Sequence, residues 1–292
     1  MEETRVIEID SNKMFGGCNK RYRHYSPTLG CNMIFSVFFP PLDRRPLGDK
    51  CPVLYWLSGF ASTSNGFIER SGAQRCAAVK GIALVAPDTS PRGLNVELIE
   101  GQTDMNPWHV GLGAGWYLNA ANDKWKNWRM YDYVVKELPT LLSKYFEELD
   151  TSRASIFGHC MGGHGALTIY LKNLDKYKSV SAFAPIVNPI NCSNGQEAFS
   201  NYLGTNRSDW EEYDATCLIK KFKFKKFPFP ILIDQGEDDP FLSEMLPHKF
   251  KEACKSANVP LILRMQPGYN YSYYLIASFM DDHIFHHALA LE

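Results

Sequence analysis

The sequence predicts an α/β protein whose mostly parallel central sheet is covered by helices on both faces. Three observations support this prediction. After a β-rich beginning, apolar strand segments alternate with helical segments. Two of those strands, at 51–57 and 81–87, are near-continuous apolar runs, as expected of strands buried on both faces. A third strand, at 154–157, runs directly into a glycine-flanked turn and a helix.

The individual elements follow from local periodicity. Residues 1–50 read as antiparallel strands, most clearly at 20–24 and 32–39, and Pro40-Pro41 ends the second of these strands. The further predicted elements, in chain order, are a strand at 51–57, a helix near 71–78, strands at 81–87 and 154–157 with an amphipathic helix at 128–146 between them, a helix to about 173, strands at 180–185 and 228–234, a helix at 246–257, a strand at 261–265 and a mostly helical segment from 270 onward.

Two segments stand apart from this alternation. The loop at 88–121 is rich in Gly, Asn and Pro, and its length predicts an ordered pocket wall rather than a simple connection. Residues 189–226 are predicted to form a cap of helices and loops. We expect both segments to belong to a single domain that spans residues 1–292.

Composition excludes several classes of function. The 292 residues are 45% hydrophobic and 22% charged, which suits one large domain with a full core. A formal net charge of −1 gives no indication of nucleic-acid or membrane binding, and no apolar run or signal peptide predicts a membrane span or secretion. The eight cysteines are scattered without a C-x-x-C pair, so we expect reduced thiols in a cytoplasmic protein, with neither a metal nor a cofactor. The expected partners are a small-molecule substrate and a second copy of the chain in a homodimer.

The segment Gly158-His159-Cys160-Met161-Gly162 matches the nucleophile elbow G-x-S-x-G, with cysteine at the serine position. Glycines permit the tight turn, the central residue takes strained backbone geometry, and the following helix directs its N–H groups at developing negative charge. The segment therefore predicts an α/β-hydrolase fold with Cys160 as the nucleophile. The alternative is a glycine-rich turn that contains a structural cysteine.

A hydrolase of this fold needs a nucleophile, an acid and a histidine in that order. Asp238 or Asp239 follows a late strand, at the acid's place. The loop after the last strand, 267–274, has no histidine. The nearest histidines lie in the terminal helix, where we expect surface or core-edge residues: His283, His286 and His287.

Further motifs support a family resemblance that covers nearly the whole chain. They are Leu54-Tyr55-Trp56-Leu57-Ser58-Gly59, Ala86-Pro87-Asp88-Thr89-Ser90-Pro91-Arg92-Gly93, Gly113-Ala114-Gly115, Tyr131-Asp132-Tyr133-Val134, Gly162-Gly163-His164-Gly165-Ala166-Leu167, Lys178-Ser179-Val180-Ser181-Ala182-Phe183-Ala184-Pro185-Ile186 and Ile233-Asp234-Gln235-Gly236. On these residues the chain resembles the S-formylglutathione hydrolases, also called esterase D, and most of all their plant members.

The resemblance implies a site, and the chain departs from the family pattern in that site. It implies Cys160 at the position of the catalytic serine, Asp239 as the acid and Tyr271 at the position of the catalytic histidine, with an oxyanion hole formed by the N–H groups of Phe60 and Met161. The implied substrate pocket contains Gly59, His109, Trp108, His159, Asn194 and Asn270. Departures from the family also occur at Phe60-Ala61-Ser62, His109-Val110 and Asn194, whereas the fold motifs are kept.

These departures argue against ordinary hydrolysis. Tyrosine, with an unperturbed pKa of about 10, is a poor base at neutral pH, and losing a triad member typically removes several orders of magnitude of rate. We therefore expect S-formylglutathione hydrolysis to be lost or very weak.

Three hypotheses remain from the sequence. The first is a repurposed enzyme of plant specialised metabolism that performs proton transfer, condensation or cyclisation with Cys160, Asp239, Tyr271 and His109. The second is a weak thioesterase or carboxylesterase in which His109 replaces the missing base. The third is a catalytically silent binding protein.

Overall fold

A nine-stranded sheet forms the centre of the protein in the computed structural model, which describes residues 5–41, 48–92, 109–223 and 226–292. The strands lie in the order β1-β2-β3-β5-β4-β6-β7-β8-β9. Their bounds are β1 Ile7–Met14, β2 Gly17–Ser26, β3 Cys31–Phe39, β4 Cys51–Leu57, β5 Ala83–Pro87, β6 Leu149–His159, β7 Tyr177–Phe183, β8 Ile231–Gly236 and β9 Leu261–Gln266.

The sheet is antiparallel at one side and parallel across the rest. Strands β1, β2 and β3 pair antiparallel, and β3 pairs antiparallel with β5. From β5 through β4, β6, β7 and β8 to β9, every pairing is parallel. The predicted α/β class with a mostly parallel sheet is therefore confirmed, and the carboxyl ends of the parallel strands meet at one edge, where sites of this architecture form.

Helices connect the parallel strands. Their bounds are α1 Ser64–Arg70, α2 Ala73–Lys80, α3 Met130–Asp132, α4 Leu138–Tyr145, α5 Met161–Lys172, α6 Ser193–Leu203, α7 Arg207–Glu211, α8 Ala215–Leu218, α9 Leu242–Met245, α10 Pro247–Ala257 and α11 Tyr273–Leu291. A π-helical turn, Tyr133–Glu137, joins α3 to α4, so the predicted amphipathic helix at 128–146 is found as one helical segment with a widened middle turn.

The sequence analysis missed α1. This helix has only seven residues, no acidic residue in its first turn and no side-chain cap, so it lacks the signals that usually mark a helix start. The helix predicted near 71–78 is found as α2, displaced by two residues. Tertiary packing of Phe67 and Ile68 holds α1 in place.

Two apolar layers bury the sheet. On β4, Val53, Tyr55 and Leu57 belong to one core cluster. Leu54 and Trp56 belong to the cluster on the opposite face, which contains residues of α1, α2 and α11. Because both faces of β4 are covered, the strand reads as a continuous apolar run rather than an alternating one.

Two of the terminal-helix histidines lie in the core, whereas the sequence predicted surface or core-edge positions. His283 and His287 on α11 are fully buried. The Oγ atom of Ser181 lies 2.7 Å from both His283 Nδ1 and His287 Nε2, and His283 Nε2 lies 2.9 Å from Oδ2 of Asp234. The expectation was wrong because polar groups on β7 and β8 supply hydrogen-bond partners inside the apolar layer, and these partners offset the desolvation of the imidazoles.

The region predicted as a cap consists of short helical pieces. A 3₁₀ turn at Pro189–Asn191 leads into α6, α7 and α8, and a second 3₁₀ turn at Ile219–Phe222 follows them. Helix α8 packs against α5 and α10, so this region lies close to the elbow helix. Within the described ranges, no helix combines the length and apolar character needed to cross a membrane.

Candidate active site

The turn between β6 and α5 presents Cys160 in a strained backbone conformation. Its φ is 54° and its ψ is −117°, outside the conformations that non-glycine residues normally adopt. A Cβ at Gly158 would collide with the carbonyl of Gly162, and a Cβ at Gly162 would collide with the carbonyl of Leu57. The glycines are therefore required by close backbone approach, and the turn has the geometry of a nucleophile elbow.

Two backbone amides face the sulfur of Cys160. Burial raises the pKa of the Cys160 thiol to about 12, and the Asp239 carboxylate adds to the rise, whereas hydrogen bonds from the N–H groups of Met161 and Phe60 oppose it. Both N–H groups are therefore directed at the thiol. At neutral pH the thiol is protonated, because its pKa lies several units above the ambient pH.

The segment after β4 approaches the elbow closely. A Cβ at Gly59 would lie 3.2 Å from both Cys160 Cβ and His159 Nδ1, so a larger residue there would crowd the nucleophile. The Tyr117 hydroxyl donates to the carbonyl of Ser58 at 2.9 Å, and the ring of Phe60 packs edge-on against Trp116. The loop that contains Trp116 and Tyr117 therefore supports one half of the amide pair from behind. None of its described residues lines the pocket above the elbow, so these residues do not form the wall that was predicted.

Asp239 is not hydrogen-bonded to Tyr271, although the family resemblance places the two residues at the acid and histidine positions of one triad, where they would be expected to pair. Its carboxylate accepts hydrogen bonds from Gln235 Nε2 at 2.9 Å and from the Phe241 N–H at 2.8 Å. Burial raises the pKa of Asp239, and these two donors partly offset that rise. The expected pairing is absent because two donors close to Asp239 in the chain, the Gln235 side-chain amide and the Phe241 N–H, already satisfy the buried carboxylate.

Tyr271 lies in the pocket against other rings. Its centroid is 5.2 Å from that of Phe241 in an edge-on contact and 6.5 Å from that of His159 in a nearly parallel one. Burial lowers the pKa of His159 to about 4, and a hydrogen bond with the backbone of Tyr271 only partly opposes this shift. His159 is therefore neutral at physiological pH.

A pocket of about 690 Å³ opens above the elbow. Five of the predicted residues line it, namely Gly59, Phe60, His159, Cys160 and Tyr271. The sequence analysis missed the other lining residues, which are Ala61, Ser62, Arg70, Phe241, Met245, Ser272, Tyr273 and Tyr274. The run Tyr271-Ser272-Tyr273-Tyr274 follows the last strand and could have been identified from that position. Arg70 could not have been identified, because α1 itself was not predicted.

Three predicted pocket residues lie elsewhere. His109 is buried, with its Nε2 3.0 Å from Oε2 of Glu197 on α6, and it does not line the pocket. The backbone N–H of Asn194 donates to Glu244, and Asn270 is exposed with its side chain accepting from the N–H of Ser272. His109 is thus not positioned to replace a base at Cys160. The fourth, Trp108, lies outside the described residues.

Several side chains and two backbone amides at the elbow could take part in a reaction. Among the described residues, they include the Cys160 thiol, the tyrosine and serine hydroxyls, the Arg70 guanidinium, the His159 imidazole and the two backbone amides. The described part of the chain contains no group of three or more side chains arranged to hold a metal ion.

Sequence and structure comparisons agree on the relatives. The Esterase family model, described as a putative esterase, matches residues 26–290. An S-formylglutathione hydrolase from Arabidopsis thaliana is 65% identical over 288 residues, covering 98% of each chain, and one from Mus musculus is 52% identical over 284 residues, covering 96% of this chain and 97% of its own. This chain belongs to the S-formylglutathione hydrolase family.

A solved structure extends the agreement to three dimensions. An S-formylglutathione hydrolase from Agrobacterium tumefaciens superposes with a TM-score of 0.89 at 42% identity, covering 98% of this chain and 99% of its own. The α/β-hydrolase fold predicted from the elbow motif is therefore confirmed. As a member of the S-formylglutathione hydrolase family, the chain is an esterase-type enzyme whose elbow carries cysteine.

Proposed function

We propose that this family member performs non-hydrolytic chemistry, such as proton transfer, condensation or cyclisation, on a small metabolite that contains a carbonyl group. One observation carries the proposal: the amides of Phe60 and Met161 converge beside a protonated thiol, while the hydrogen bonds of the described residues join no imidazole to Cys160. The site can stabilise an oxyanion but has no base arranged to activate serine-type attack.

The rings in the pocket supply the proton-transfer groups. A bound carbonyl oxygen that accepts from the two amides would gain negative charge when an adjacent carbon loses a proton, and the amides would stabilise that charge. The neutral imidazole of His159 is the acceptor for the proton, and because its pKa of about 4 makes it a weak base, the step requires a carbon acid that the two amides strongly acidify. The hydroxyl of Tyr271 can donate a proton to the product. No step requires an attacking water.

A second candidate, a weak cysteine thioesterase or carboxylesterase, is favoured by the strained elbow itself. The Cys160 sulfur could attack an activated ester or thioester, forming a new thioester bond while the alcohol or thiol leaves with the thiol proton. Release of the acyl group needs an activated water, so this step would limit turnover. The two candidates differ in whether the acyl group accumulates on Cys160.

The direct test is a metabolite screen that compares the protein with its Tyr271→Phe and Cys160→Ala variants. We expect product formation to fall by about 10²-fold or more in the Phe variant, which loses one hydroxyl and little volume. Intact-mass measurement after exposure to activated esters reports acylation of Cys160 in parallel.

S-formylglutathione serves as the reference substrate. We expect negligible turnover of it. A kcat in the ordinary enzyme range of about 1–10³ per second would contradict the proposal and show that another base serves Cys160.

A further inference from the structure

The pocket above Cys160 has a wall of aromatic side chains. Five of its lining residues are phenylalanine or tyrosine: Phe60, Phe241, Tyr271, Tyr273 and Tyr274. Tyr271 is 38% exposed and Tyr274 is 83% exposed, so both rings present surface that a ligand could cover. Edge and face contacts between rings favour a planar partner, because each aromatic pair adds interaction beyond the area that it buries.

Arg70 is the only charged side chain that lines this pocket among the described residues. It is exposed at the end of α1, with its guanidinium carbon 5.8 Å from the centroid of the Tyr273 ring. The hydroxyl of Tyr273 is in turn hydrogen-bonded to the side chain of Ser62, which fixes the ring that Arg70 covers. No carboxylate of the described chain lies within ion-pair distance of Arg70, as the described salt bridges involve other residues.

We propose that the pocket recognises a planar, conjugated molecule that carries a carboxylate, with the rings covering the planar part and Arg70 pairing with the carboxylate. The planar guanidinium matches a carboxylate through two parallel hydrogen bonds, which an ammonium group cannot do. This inference names the substrate class for the function proposed above and rests on the same pocket. It concerns binding only, so it can fail or hold independently of the chemistry.

The test compares 2-naphthoate with 2-naphthamide, which share a ring system and differ in charge. Equilibrium dissociation constants are measured by titration calorimetry for the full chain, for Arg70→Gln and for Arg75→Gln. Arg75 is the matched control, since it lies on α2 with its guanidinium 5.5 Å from the ring of Phe15, outside the pocket lining. We expect the parent protein to bind naphthoate about fivefold or more tightly than naphthamide, a modest ratio because Arg70 is exposed.

Arg70→Gln should abolish this preference, while Arg75→Gln should preserve it. Octanoate tests the aromatic part, because it keeps the carboxylate and lacks the rings, and it should bind more weakly than naphthoate. In Tyr274→Ala we expect weaker binding of both naphthalenes at an unchanged ratio between them.

Three results would overturn the proposal: equal affinity for naphthoate and naphthamide, an unchanged ratio in Arg70→Gln, or no binding of naphthoate at millimolar concentration. None of these results would contradict a loss of product formation in the Tyr271→Phe screen, because that screen tests the chemistry and not the ligand class. Failure of that screen with naphthoate bound as expected would instead reject the proposed chemistry and keep the ligand class.

Discussion

At Cys160 the protein combines the position of a nucleophile with a thiol that resists ionisation. The backbone strain is retained, and such strain costs about 1–3 kcal/mol, so surrounding packing must enforce it. The sequence predicted Cys160 and Met161 because both lie within the single turn of the elbow motif, whereas Phe60, which follows β4, was implied by the family resemblance. The partner of His109 could not be predicted, since the fold brings Glu197 near from 88 residues away in the chain. Gln235, by contrast, lies only 4 residues before Asp239, but nothing in the sequence shows that its side chain turns toward the carboxylate.

Removing the negative charge of Asp239 should make Cys160 more reactive. That charge raises the pKa of the thiol, so Asp239→Asn should lower the pKa and increase the thiolate fraction. We expect faster alkylation of Cys160 by iodoacetamide at pH 8, measured by peptide mapping over time. Asp238→Asn is the control, because Asp238 is not among the groups that shift this pKa. Slower alkylation of Cys160 in Asp239→Asn would mean that the Asp239 carboxylate does not raise the pKa of the thiol, and would contradict this prediction.

Placing serine at position 160 and histidine at position 271, the residues that the family resemblance implies there, should produce ester hydrolysis. Cys160→Ser combined with Tyr271→His places an imidazole that titrates near neutral pH on the loop after β9. We expect hydrolysis of p-nitrophenyl acetate to rise at least about 10²-fold above either single variant, the usual contribution of a general base. If the double variant performs no better than the single ones, the new imidazole does not reach the nucleophile, and the correspondence of Tyr271 to the catalytic position would have to be abandoned.

At the scale of elements, the passage from β6 through the turn to α5 was predicted well, whereas α1 was not. An apolar strand, two glycines and a helix-forming run are all local signals, so they appear in the sequence. Helix α1 is short, its N-cap residue Thr63 makes no capping hydrogen bond, and tertiary contacts, including the Ser64 N–H that donates to Asp88, maintain it rather than propensity. As Arg70 lies at its end, the charged edge of the pocket was missed together with the helix.

The elbow glycines should tolerate substitution poorly. In Gly162→Ala the new Cβ meets the carbonyl of Leu57 in the neighbouring strand, so we expect a loss of more than about 3 kcal/mol in the free energy of unfolding. Gly72→Ala is the matched control: Gly72 has φ of 71°, a Cβ there would meet no atom within 4 Å, and the loss should be about 1–2 kcal/mol. Urea unfolding measures both variants, and equal losses would show that the collision with Leu57 is relieved at little cost, contrary to the prediction.

At the scale of the whole molecule, the sheet and its two covering layers were predictable, but the polar contacts between α11 and the sheet were not. Histidine on a helix gives no sign of whether a serine and an aspartate lie opposite it, and those partners come from β7 and β8. The homodimer, the cytoplasmic location and the division into one domain with a cap at 189–226 stay predictions.

The buried histidines should make the protein less stable in mild acid. Burial lowers the pKa of His283 and His287 below their unfolded value of about 6.5, so folding releases protons from both. The contribution of the two neutral imidazoles to the free energy of unfolding is fully present above pH 6.5 and is lost as the pH falls below that value. For Asp234, burial would raise the pKa, but hydrogen bonds from His283, Arg264 and Gln266 outweigh it and hold the pKa at about 2, so a further loss occurs below about pH 4.

Urea unfolding between pH 8 and pH 4.5 measures this decline. We expect His287→Gln to flatten the slope below pH 6.5 by up to about 1.4 kcal/mol per pH unit, the linkage value for one proton. His248→Gln, at an exposed position of α10, is the control and should leave the slope unchanged. Buried carboxyl groups whose pKa is raised, such as Asp214, make the protein more stable as the pH falls. The prediction is therefore tested by the difference in slope between His287→Gln and the parent protein. An unchanged slope in His287→Gln would contradict the expectation.

Helix α11 lies at the carboxyl end of the chain, so it is synthesised after the strands that it covers. Every strand that α11 covers precedes it in the chain, so a ribosome completes the sheet before it has synthesised His283. At about 5–20 residues per second, the 19 residues of α11 take about one to four seconds to emerge. During that interval Asp234 and Ser181 lack their imidazole partners, and the apolar surface of β6, β7 and β8 that α11 covers is exposed, although α1 and α2 already cover part of the same face. The nascent chain therefore passes through a stage in which a chaperone that recognises apolar strands would find its target.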